Sequence, residues 1–379
     1  MKVYDYIFTG AGASAWSLLL RMIDAGLIKD KNILLLDTAP KTNNDRTWCF
    51  WEEEPGYFES LVHHQWKELA FHSPSFSAAL DLQRYSYKMI RGIDFYKHAY
   101  ECIKPYDQIE IKYGHVEWKE ENDAYRLFLD GAAVNTSGAT IFNSIPSKAA
   151  HDPEAIDLLQ HFKGWLIETP ENKFDPGKAI LMDFRVSQEA GATFVYVLPV
   201  SPTRALVEYT LFTGTLLSPQ QYENGLKDYI AQYLQLSSYT IIEEEFGIIP
   251  MTTRRFPFYH KGIYNIGTAG GQTKASTGYT FQYIQKQSDA IVSLLQQKKS
   301  LPQQWPVSSR FHFYDTVLLR LLQKGKPTGA AIFTRLFQRN KAAAIFRFLD
   351  NATSLVQEVR IMGTLQVWEF FKAAFGNKK

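Results

Sequence analysis

An α/β fold is predicted by three features of this 379-residue sequence. Near the start, an apolar segment runs into a glycine-containing turn, a helical segment and a second apolar segment that ends in an acid. Segments of alternating polarity, typical of strands, occupy the middle of the chain. A second glycine-rich loop follows a strand late in the sequence and leads into another helix. Strands interleaved with helices in this way indicate a sheet with helices packed against it.

The first glycine turn has the composition of a dinucleotide-binding motif. A strand over residues 3–8 leads into Gly10-Ala11-Gly12-Ala13-Ser14-Ala15, and the strand over residues 33–36 ends in an acid. Glycines let the backbone approach a pyrophosphate, the helix N-terminus faces its charge, and the acid can bond a ribose hydroxyl. The alternative is a tight strand-to-helix turn with a solvated acid. The predicted nucleotide contacts are Gly10, Gly12, Ala15 and Asp37.

The rest of the chain divides into further helices and strands. Residues 81–103 carry apolar side chains at helical spacing. Ser218 and Pro219 form an N-cap and first-turn pair that opens a helix ending near residue 234. Alternating or buried apolar segments predict strands at residues 109–118, 125–129, 139–142, 180–186, 193–198, 205–210 and 240–248.

The second glycine loop follows a strand at residues 263–266 and precedes a helix that runs to Gln296. A flavin is a large cofactor and needs backbone close to its ribityl chain and ring as well as to its pyrophosphate. Two distant loops that close on one site therefore favour a flavin over NAD. The predicted contacts from this loop are Gly267, Gly270, Gly271, Thr277 and Gly278.

Composition narrows the class of protein. With 379 residues, 45% of them hydrophobic, the chain can bury a large core and exceeds the usual single-domain length. A net charge of +2 argues against a general nucleic-acid binder. Cys49 and Cys102 give neither a disulfide framework nor a metal-binding spacing, so no metal site is predicted. We expect no signal peptide and no transmembrane helix, and a cytoplasmic location.

One segment is strongly basic. Residues 310–347 contain eight Lys or Arg residues and a single acid, Asp315. Apolar residues at helical intervals make this segment amphipathic, which suits contact with anionic lipid headgroups at a membrane surface. The alternative is a set of core-packing helices with a solvated basic back. The apolar residues concerned are Val317, Leu318, Leu321, Leu322, Ile332, Phe333, Leu336 and Phe337.

Five stretches are distinctive in combination. They are the nucleotide motif up to Asp37, Asp45-Arg46-Thr47-Trp48-Cys49-Phe50-Trp51, Met182-Asp183-Phe184-Arg185 with Gln188, Tyr196-Val197-Leu198-Pro199 running to Val207-Glu208-Tyr209-Thr210, and Ile249-Pro250-Met251 with the loop from Gly267 to Tyr279. Together they resemble the lycopene β-cyclase family of carotenoid enzymes, and the resemblance covers most of the chain.

The resemblance implies a fold, cofactors and a reaction. The implied fold is a Rossmann-like FAD-binding domain of the p-hydroxybenzoate-hydroxylase type, interleaved with a mixed-sheet substrate domain and followed by a helical C-terminal region. The implied cofactor is FAD, kept reduced by NADPH. The implied reaction is a redox-neutral isomerisation. It closes ψ end groups of lycopene and related ψ-ended carotenoids to β-ionone rings, giving γ-carotene and then β-carotene. No obligate protein partner is expected.

The resemblance also assigns the catalytic residues. Many family members carry two adjacent carboxylates in the motif that holds the catalytic glutamate, whereas here Glu208 is followed by Tyr209. The catalytic role carries over to Glu208, and Asp183 is the best candidate for a second acid. Without the resemblance, Glu208 would be interpreted as a solvent-facing residue on an alternating strand.

Ring closure of a polyene end requires a strong acid in a dry site. An alkene carbon must be protonated, the neighbouring alkene must attack, and the new ring must lose a proton. A glutamate with the ordinary pKa of about 4.3 is almost fully ionised at neutral pH. Burial raises this pKa because it disfavours the charged form. The residues that flank Glu208 are apolar, and they are Ala205, Leu206, Val207, Leu211 and Phe212.

Aromatic residues near these motifs are candidates for the wall of a polyene tunnel, although an aromatic-rich core is the better interpretation of any single one of them. The predicted substrate contacts are Trp48, Phe50, Trp51, Tyr196 and Tyr209. Two other functions stay open: an FAD-dependent monooxygenase or prenyl-chain reductase of the same fold, and a non-catalytic flavin-binding or carotenoid-binding protein.

The predicted domains are interleaved along the chain. The FAD-binding domain is assigned residues 1–80, 81–160 and 249–300, and the substrate domain with the catalytic strand is assigned residues 161–248. Residues 301–379 form the helical C-terminal region.

Overall fold

The computed structural model describes residues 2–121, 124–146 and 152–365. The strands are β1 (Tyr6–Thr9), β2 (Ile33–Asp37), β3 (Thr47–Glu52), β4 (His64–Trp66), β5 (Glu68–Ser73), β6 (Phe76–Leu80), β7 (Ser86–Arg91), β8 (Ile109–Tyr113), β9 (Val116–Glu121), β10 (Ala124–Leu129), β11 (Ala132–Ala133), β12 (Thr140–Asn143), β13 (Asp157–Glu168), β14 (Lys178–Asp183), β15 (Ala192–Pro199), β16 (Arg204–Thr213), β17 (Thr240–Thr252), β18 (Tyr259–His260) and β19 (Ile263–Asn265). The α-helices are α1 (Ala13–Asp24), α2 (Gly92–Ile103), α3 (Pro219–Tyr229), α4 (Phe281–Gln296), α5 (Ser309–Lys324), α6 (Gly329–Arg339), α7 (Ala342–Leu349) and α8 (Leu355–Thr364).

The first sheet has six strands in the order β18-β19-β12-β1-β2-β8. All neighbours pair in parallel except β18 and β19. Helix α1 packs against α4, and both bury an apolar face in the same hydrophobic cluster as β1 and β2. Because parallel strands end at the same edge, the loops after β1, β2 and β12 meet there, which is where ligands bind in such sheets.

The second sheet has seven strands in the order β17-β13-β16-β15-β14-β5-β6. It is antiparallel except for the parallel pair of β14 and β5. Its two faces pack against different elements because side chains alternate along each strand. One face packs on α3, and the other faces the C-terminal helices and a large cavity. Two three-stranded sheets, β3-β7-β4 and β11-β10-β9, complete the fold.

Local sequence signals explain the helix starts. Ser218 and Gln221 form a reciprocal capping box at α3, with Pro219 in the first turn, as predicted. Helix α4 also ends at Gln296 as predicted. The predicted helix over residues 81–103 is wrong in its first half, because residues 86–91 form β7, held between β3 and β4.

The strand pairing in the second sheet shows where the predicted domain boundaries differ from the structure. Strand β13 was not predicted, although it pairs with both β16 and β17. Strands β5 and β6, in the segment assigned to the FAD-binding domain, belong to the second sheet because β5 pairs with β14. The second sheet therefore collects strands from residues 68–80, 157–213 and 240–252.

The C-terminal helices pack their apolar residues into the core. Ile332, Phe333, Leu336 and Phe337 of α6 are all at most 9% exposed, and Phe333 stacks on Phe184 of the second sheet. The prediction that these residues form a membrane-binding face is therefore wrong, and the alternative of core-packing helices describes them. Residues 366–379 of the predicted C-terminal region lie outside the described residues. Within the described ranges, no helix combines the length and apolar character needed to cross a bilayer.

Candidate functional site

A cavity of about 790 Å³ separates the first sheet from the second. Loops from the nucleotide motif and from the second glycine loop line one part of it, and strands of the second sheet line the other. Of the predicted site residues, those in its lining are Gly10, Gly12, Asp37, Trp48, Tyr196, Glu208, Thr277 and Gly278. The remaining predicted residues lie elsewhere, as described below.

The end of β1 has the geometry that a pyrophosphate requires. Gly10 has φ +85°, and a Cβ there would lie 2.3 Å from Ser144 Oγ, so only glycine fits. A Cβ on Gly12 would meet no protein atom within 4 Å. Because Gly12 lines the cavity and is the N-cap residue of α1, the open space beside it lies at a helix N-terminus.

Asp37 is held in place at the end of β2. Its carboxylate accepts hydrogen bonds from Ala11 N (3.1 Å) and Thr38 N (2.7 Å), and Lys41 Nζ lies 3.8 Å away. These contacts fix the acid at the cavity wall, one loop away from Gly12. Gly12 and Asp37 therefore suit a bound nucleotide, with its pyrophosphate beside Gly12 and its ribose beside Asp37.

The second glycine loop contributes through different residues than predicted. Thr268, Thr277 and Gly278 line the cavity. Gly267 instead permits close packing, because a Cβ there would lie 2.4 Å from Ser14 Oγ. Gly270, Gly271 and Ala15 also lie outside the lining: a Cβ on Gly270 would lie 2.1 Å from Asn265 O, a Cβ on Gly271 would lie 3.3 Å from Phe256, and Ala15 is fully buried in α1. The three glycines permit close packing around the second glycine loop, and Ala15 packs inside α1. None of these four residues lines the cavity.

Glu208 lies in a row of residues that crosses four strands. Tyr196 of β15 pairs with Glu208 of β16, Glu208 pairs with Gly164 of β13, and Gly164 pairs with Glu245 of β17. Directly paired residues point to the same sheet face, and Tyr196, Glu208 and Glu245 all line the cavity. Gly164 has no side chain, so the two glutamates flank an open position.

The two carboxyl groups lie on the same face in the cavity, and burial raises the pKa of both. Burial, and then the charge of Glu245, raise the pKa of Glu208 well above its ordinary value. Thr210 Oγ1 donates to Glu208 at 2.7 Å, and Thr47 Oγ1 donates to Glu245 Oε2 at 2.8 Å. Glu245 Oε1 is buried without a hydrogen-bond partner. The site thus brings together two carboxyl groups whose neutral forms are favoured by burial, Glu208 more strongly than Glu245.

Glu245 was missed in the sequence, and it replaces Asp183 as the second acid. Asp183 pairs in register with Val195, on the face that packs against α3. Its carboxylate accepts bonds from Arg185 Nη2 (2.6 Å) and Tyr229 OH (2.8 Å). Burial alone would raise the pKa of Asp183, but these bonds hold it below the ordinary value. The prediction that Asp183 assists Glu208 is therefore wrong, because the two lie on opposite faces.

The aromatic residues are distributed over several environments. Tyr209 follows Glu208 and so faces α3, where its ring packs on Gly225; the predicted substrate contact is wrong for this residue. Phe50 stacks on Phe281, at a centroid distance of 4.7 Å, in the core of the first sheet. Trp48 lines the cavity. Trp51 lines a second, apolar chamber instead.

This apolar chamber, of about 80 Å³, lies between the second sheet and the C-terminal helices. Tyr196, Thr277 and Tyr279 belong to the linings of both the chamber and the large cavity. Trp51 packs against Tyr279 at 4.4 Å and stacks on Phe346 of α7 at 4.6 Å. A wall of aromatic rings therefore separates the carboxyl pair from a space lined almost wholly by apolar side chains.

The described residues set limits on the chemistry. They contain no group of three or more His, Cys, Asp or Glu arranged to hold a metal ion. The polar groups that face the cavity are instead a nucleotide-type edge at one end and a pair of buried carboxyl groups at the other. Such a site suits acid–base chemistry beside a bound nucleotide cofactor.

The architecture is the p-hydroxybenzoate-hydroxylase type of fold, as predicted. A geranylgeranyl bacteriochlorophyll reductase-like protein from Thermoplasma acidophilum has a TM-score of 0.57 and 13% identity, over 98% of this chain and 96% of its own. The flavin-dependent brominase Bmp2 has a TM-score of 0.59 and 11% identity, over 96% and 94%.

The chain belongs to the lycopene cyclase family: the family's model, described as lycopene cyclase protein, matches residues 5–374. A lycopene beta-cyclase from Pantoea ananas is 29% identical over 310 residues, which cover 77% of this chain and 74% of that protein. The resemblance predicted from the five sequence stretches is thereby confirmed.

Proposed function

We propose that this protein is a lycopene β-cyclase that uses FAD and closes ψ end groups of carotenoids to β-ionone rings without net oxidation or reduction. Family membership supports the carotenoid substrate. The observation that carries the reaction type is the neutral acid: Glu208 lies in the cavity, its pKa is raised by burial, and it pairs with a second carboxyl.

Glu208 acts as the proton donor. Protonation of an unactivated alkene is difficult, and a carboxyl group that stays neutral at the working pH is the species that can perform it. The hydrogen bond from Thr210 fixes one carboxyl oxygen, so the group is oriented as well as protonated. Aromatic faces beside Glu208, such as that of Tyr196, stabilise a nearby cation and exclude water from it.

The residues around Gly12 and Asp37 would hold FAD, with Thr268, Thr277 and Gly278 at the other side of the cavity. When bound in its reduced, anionic form, FAD would supply negative charge that stabilises a carbocation nearby. NADPH serves as the reductant that keeps it in this form, and it is not consumed in step with turnover.

In this proposal the apolar chamber, which at about 80 Å³ is much smaller than a polyene chain, receives only a part of the carotenoid next to the closing end group. It opens behind Tyr196 and Tyr279, and its walls come from Trp51 and from the apolar sides of α6, α7 and α8. A hydrocarbon chain gains about 25 cal/mol for each Å² of apolar surface removed from water. The chamber therefore favours this part of the hydrocarbon while the end group faces Glu208.

Helix α8 is the membrane-binding surface in this proposal. Its Leu355, Val356 and Val359 are 59%, 74% and 70% exposed, whereas Ile361 on its other side lines the apolar chamber. The exposed Arg360 on the same helix adds a positive charge beside this apolar face, which suits an anionic bilayer. In this proposal the protein is a peripheral membrane protein whose body lies in the cytoplasm. A Val356→Asp, Val359→Asp variant should lose sedimentation with anionic vesicles while keeping its thermal unfolding midpoint; unchanged sedimentation would contradict this assignment.

The test of function compares pigments from a lycopene-accumulating bacterial host that expresses either this chain or its Glu208→Gln form. We expect β-carotene or γ-carotene with the native chain and unchanged lycopene with Glu208→Gln, with bound FAD in both. The mass of the product separates the alternatives, because isomerisation leaves it unchanged, hydroxylation adds an oxygen and reduction adds two hydrogens. A product heavier than lycopene would reject the proposal.

A further inference from the structure

We propose that Glu245 is the proton acceptor of the reaction, and that its position selects which isomer of the ring is formed. This inference rests on the proposed function and concerns the last step of ring closure. No assignment from the motifs covers this residue, since it lies 37 positions beyond Glu208 in the chain.

Geometry is the first support. Glu245 and Glu208 line the same cavity from two strands that are not neighbours, with only β13 between them. The intervening residue is Gly164, and a Cβ on it would lie 2.8 Å from Glu245 Cγ. The Glu245 side chain therefore leans over the glycine toward Glu208, into space that any other residue at position 164 would fill.

The unpaired oxygen is the second support. Glu245 Oε2 accepts the hydrogen bond from Thr47, whereas Oε1 is buried and has no hydrogen-bond partner. A buried carboxylate oxygen without a donor is costly unless a ligand or reaction uses it. It is a free acceptor in the cavity, next to the group that donates the proton.

The chemistry requires such an acceptor. Glu208 gives its proton to the terminal double bond, and the cation that results is attacked by the next alkene, which forms the ring bond and moves the positive charge to the methyl-bearing ring carbon. Loss of a proton then restores neutrality. Removal from the carbon that bears the polyene gives a β ring, removal from the ring methylene gives an ε ring, and removal from the methyl group gives a γ ring.

The carboxyl pair closes the proton cycle. Glu245 takes the ring proton and becomes neutral while Glu208 is the carboxylate. Transfer between the two neighbouring carboxyl groups, which flank Gly164, then returns the proton to Glu208. One proton enters the substrate and one leaves it, no electrons are gained or lost, and the site is ready for the second end group. Because the acceptor is fixed by Thr47, one of the three protons is taken in preference to the others.

The experiment uses the purified, FAD-loaded protein with lycopene in vesicles and NADPH, and it resolves β, ε and γ rings by chromatography. Three variants are compared: Glu245→Gln, Glu245→Asp and the control Glu244→Gln. Glu244 is the neighbouring residue on the same strand, and its side chain is 54% exposed on the opposite face. We expect Glu245→Gln to lose about a hundredfold in rate and to yield ε or γ rings in its residual product, while Glu244→Gln behaves as the native protein.

The isomer ratio decides the outcome, since a purely structural role for Glu245 would slow the reaction without changing the product. If Glu245→Gln forms only β rings at any rate, the inference is overturned. If that variant forms no cyclic product, Glu245→Asp decides, because a shortened carboxylate must introduce ε or γ rings if the acceptor selects the isomer. Glu208→Gln separates the two proposals. Full activity of this variant would reject the proposed function. If Glu208→Gln is inactive and the Glu245 variants form exclusively β rings, only this inference is rejected.

Discussion

Gly164 lies directly beneath the side chain of Glu245, so that a Cβ at position 164 would come within 2.8 Å of Glu245 Cγ and 3.2 Å of Leu206 Cδ1. Its φ lies outside the left-handed region, so alanine is compatible with its backbone. The glycine is therefore required by the neighbouring carboxyl group and not by strand geometry.

Replacing Gly164 with alanine should separate the carboxyl pair while leaving the sheet intact. We expect Gly164→Ala to lower the rate of cyclisation by about tenfold or more, since small misplacements of catalytic groups have effects of this size. The rate with lycopene and the far-ultraviolet circular dichroism spectrum measure the two effects. Gly214→Ala is the matched control, because a Cβ at Gly214 meets nothing within 4 Å. Equal rates in both variants would argue against a role for the pair.

The pH dependence of stability should report the neutral acid. The pKa of Glu208 is raised in the folded state, so its contribution to stability is present below the ordinary glutamate pKa and is lost as the pH rises through the folded value. The loss amounts to about 1.4 kcal/mol per pH unit for one proton. We expect Glu208→Gln to unfold at a higher denaturant concentration than the native chain at alkaline pH, with a smaller difference at acidic pH. Parallel curves would show that Glu208 is ionised in the folded protein.

The pH profile of activity should shift when Glu245 is replaced by the uncharged glutamine. That charge raises the pKa of Glu208, and activity requires protonated Glu208, so activity falls as the pH rises through this pKa. Glu245→Gln should shift the alkaline fall in residual activity toward lower pH. A rate profile of the native chain and the variant measures the shift, and a shift toward higher pH would contradict the electrostatic coupling.

Gly12 offers a test of cofactor binding that does not depend on catalysis. Since a Cβ there meets no protein atom within 4 Å, valine fits the fold but projects into the cavity. We expect Gly12→Val to fold and to lack the visible absorbance of bound flavin. As a comparison, Gly10→Ala should destabilise the protein itself, because its side chain would meet Ser144 Oγ at 2.3 Å. A Gly12→Val protein with a full complement of flavin would overturn the assignment of this loop.

Asp183 should matter for stability and not for the chemical step. Asp183→Asn removes the charge that pairs with Arg185 and accepts from Tyr229, so we expect a loss of about 2 kcal/mol in the free energy of unfolding. Urea unfolding measures this loss, and the ratio of ring isomers should stay as in the native chain. A changed isomer ratio would show that the face covered by α3 communicates with the cavity.

Much of the fold was predictable because its signals are local. The strand, glycine turn and helix from Tyr6 to Asp24 follow from steric requirements of a few consecutive residues, and the capping box at Ser218 is equally local. Tyr209 could also have been placed correctly, because it is adjacent to Glu208 on a strand and must face the opposite way.

The carboxyl pair was not predictable in the same way. Residues Glu243, Glu244 and Glu245 look like a solvated charge run, and the first two are indeed exposed. Only the register of β13 with both β16 and β17 brings Glu245 to Glu208, and a pairing of strands so distant in sequence leaves no periodic signal in either segment. Gly164 was the one available hint, since a glycine inside a strand often marks a close approach of neighbouring atoms.

The aromatic wall between the two spaces has a consequence for altering the specificity of this enzyme. Tyr196 and Tyr279 each line both the cavity and the chamber, so these two side chains form part of the partition between them. Enlarging or shortening either side chain would change the volume of both the cavity and the chamber. At these two positions, the space beside Glu208 and the space in the chamber therefore change together. Ile361 and Leu365 line the chamber and not the cavity, so substitutions there would change the chamber without changing the space around Glu208.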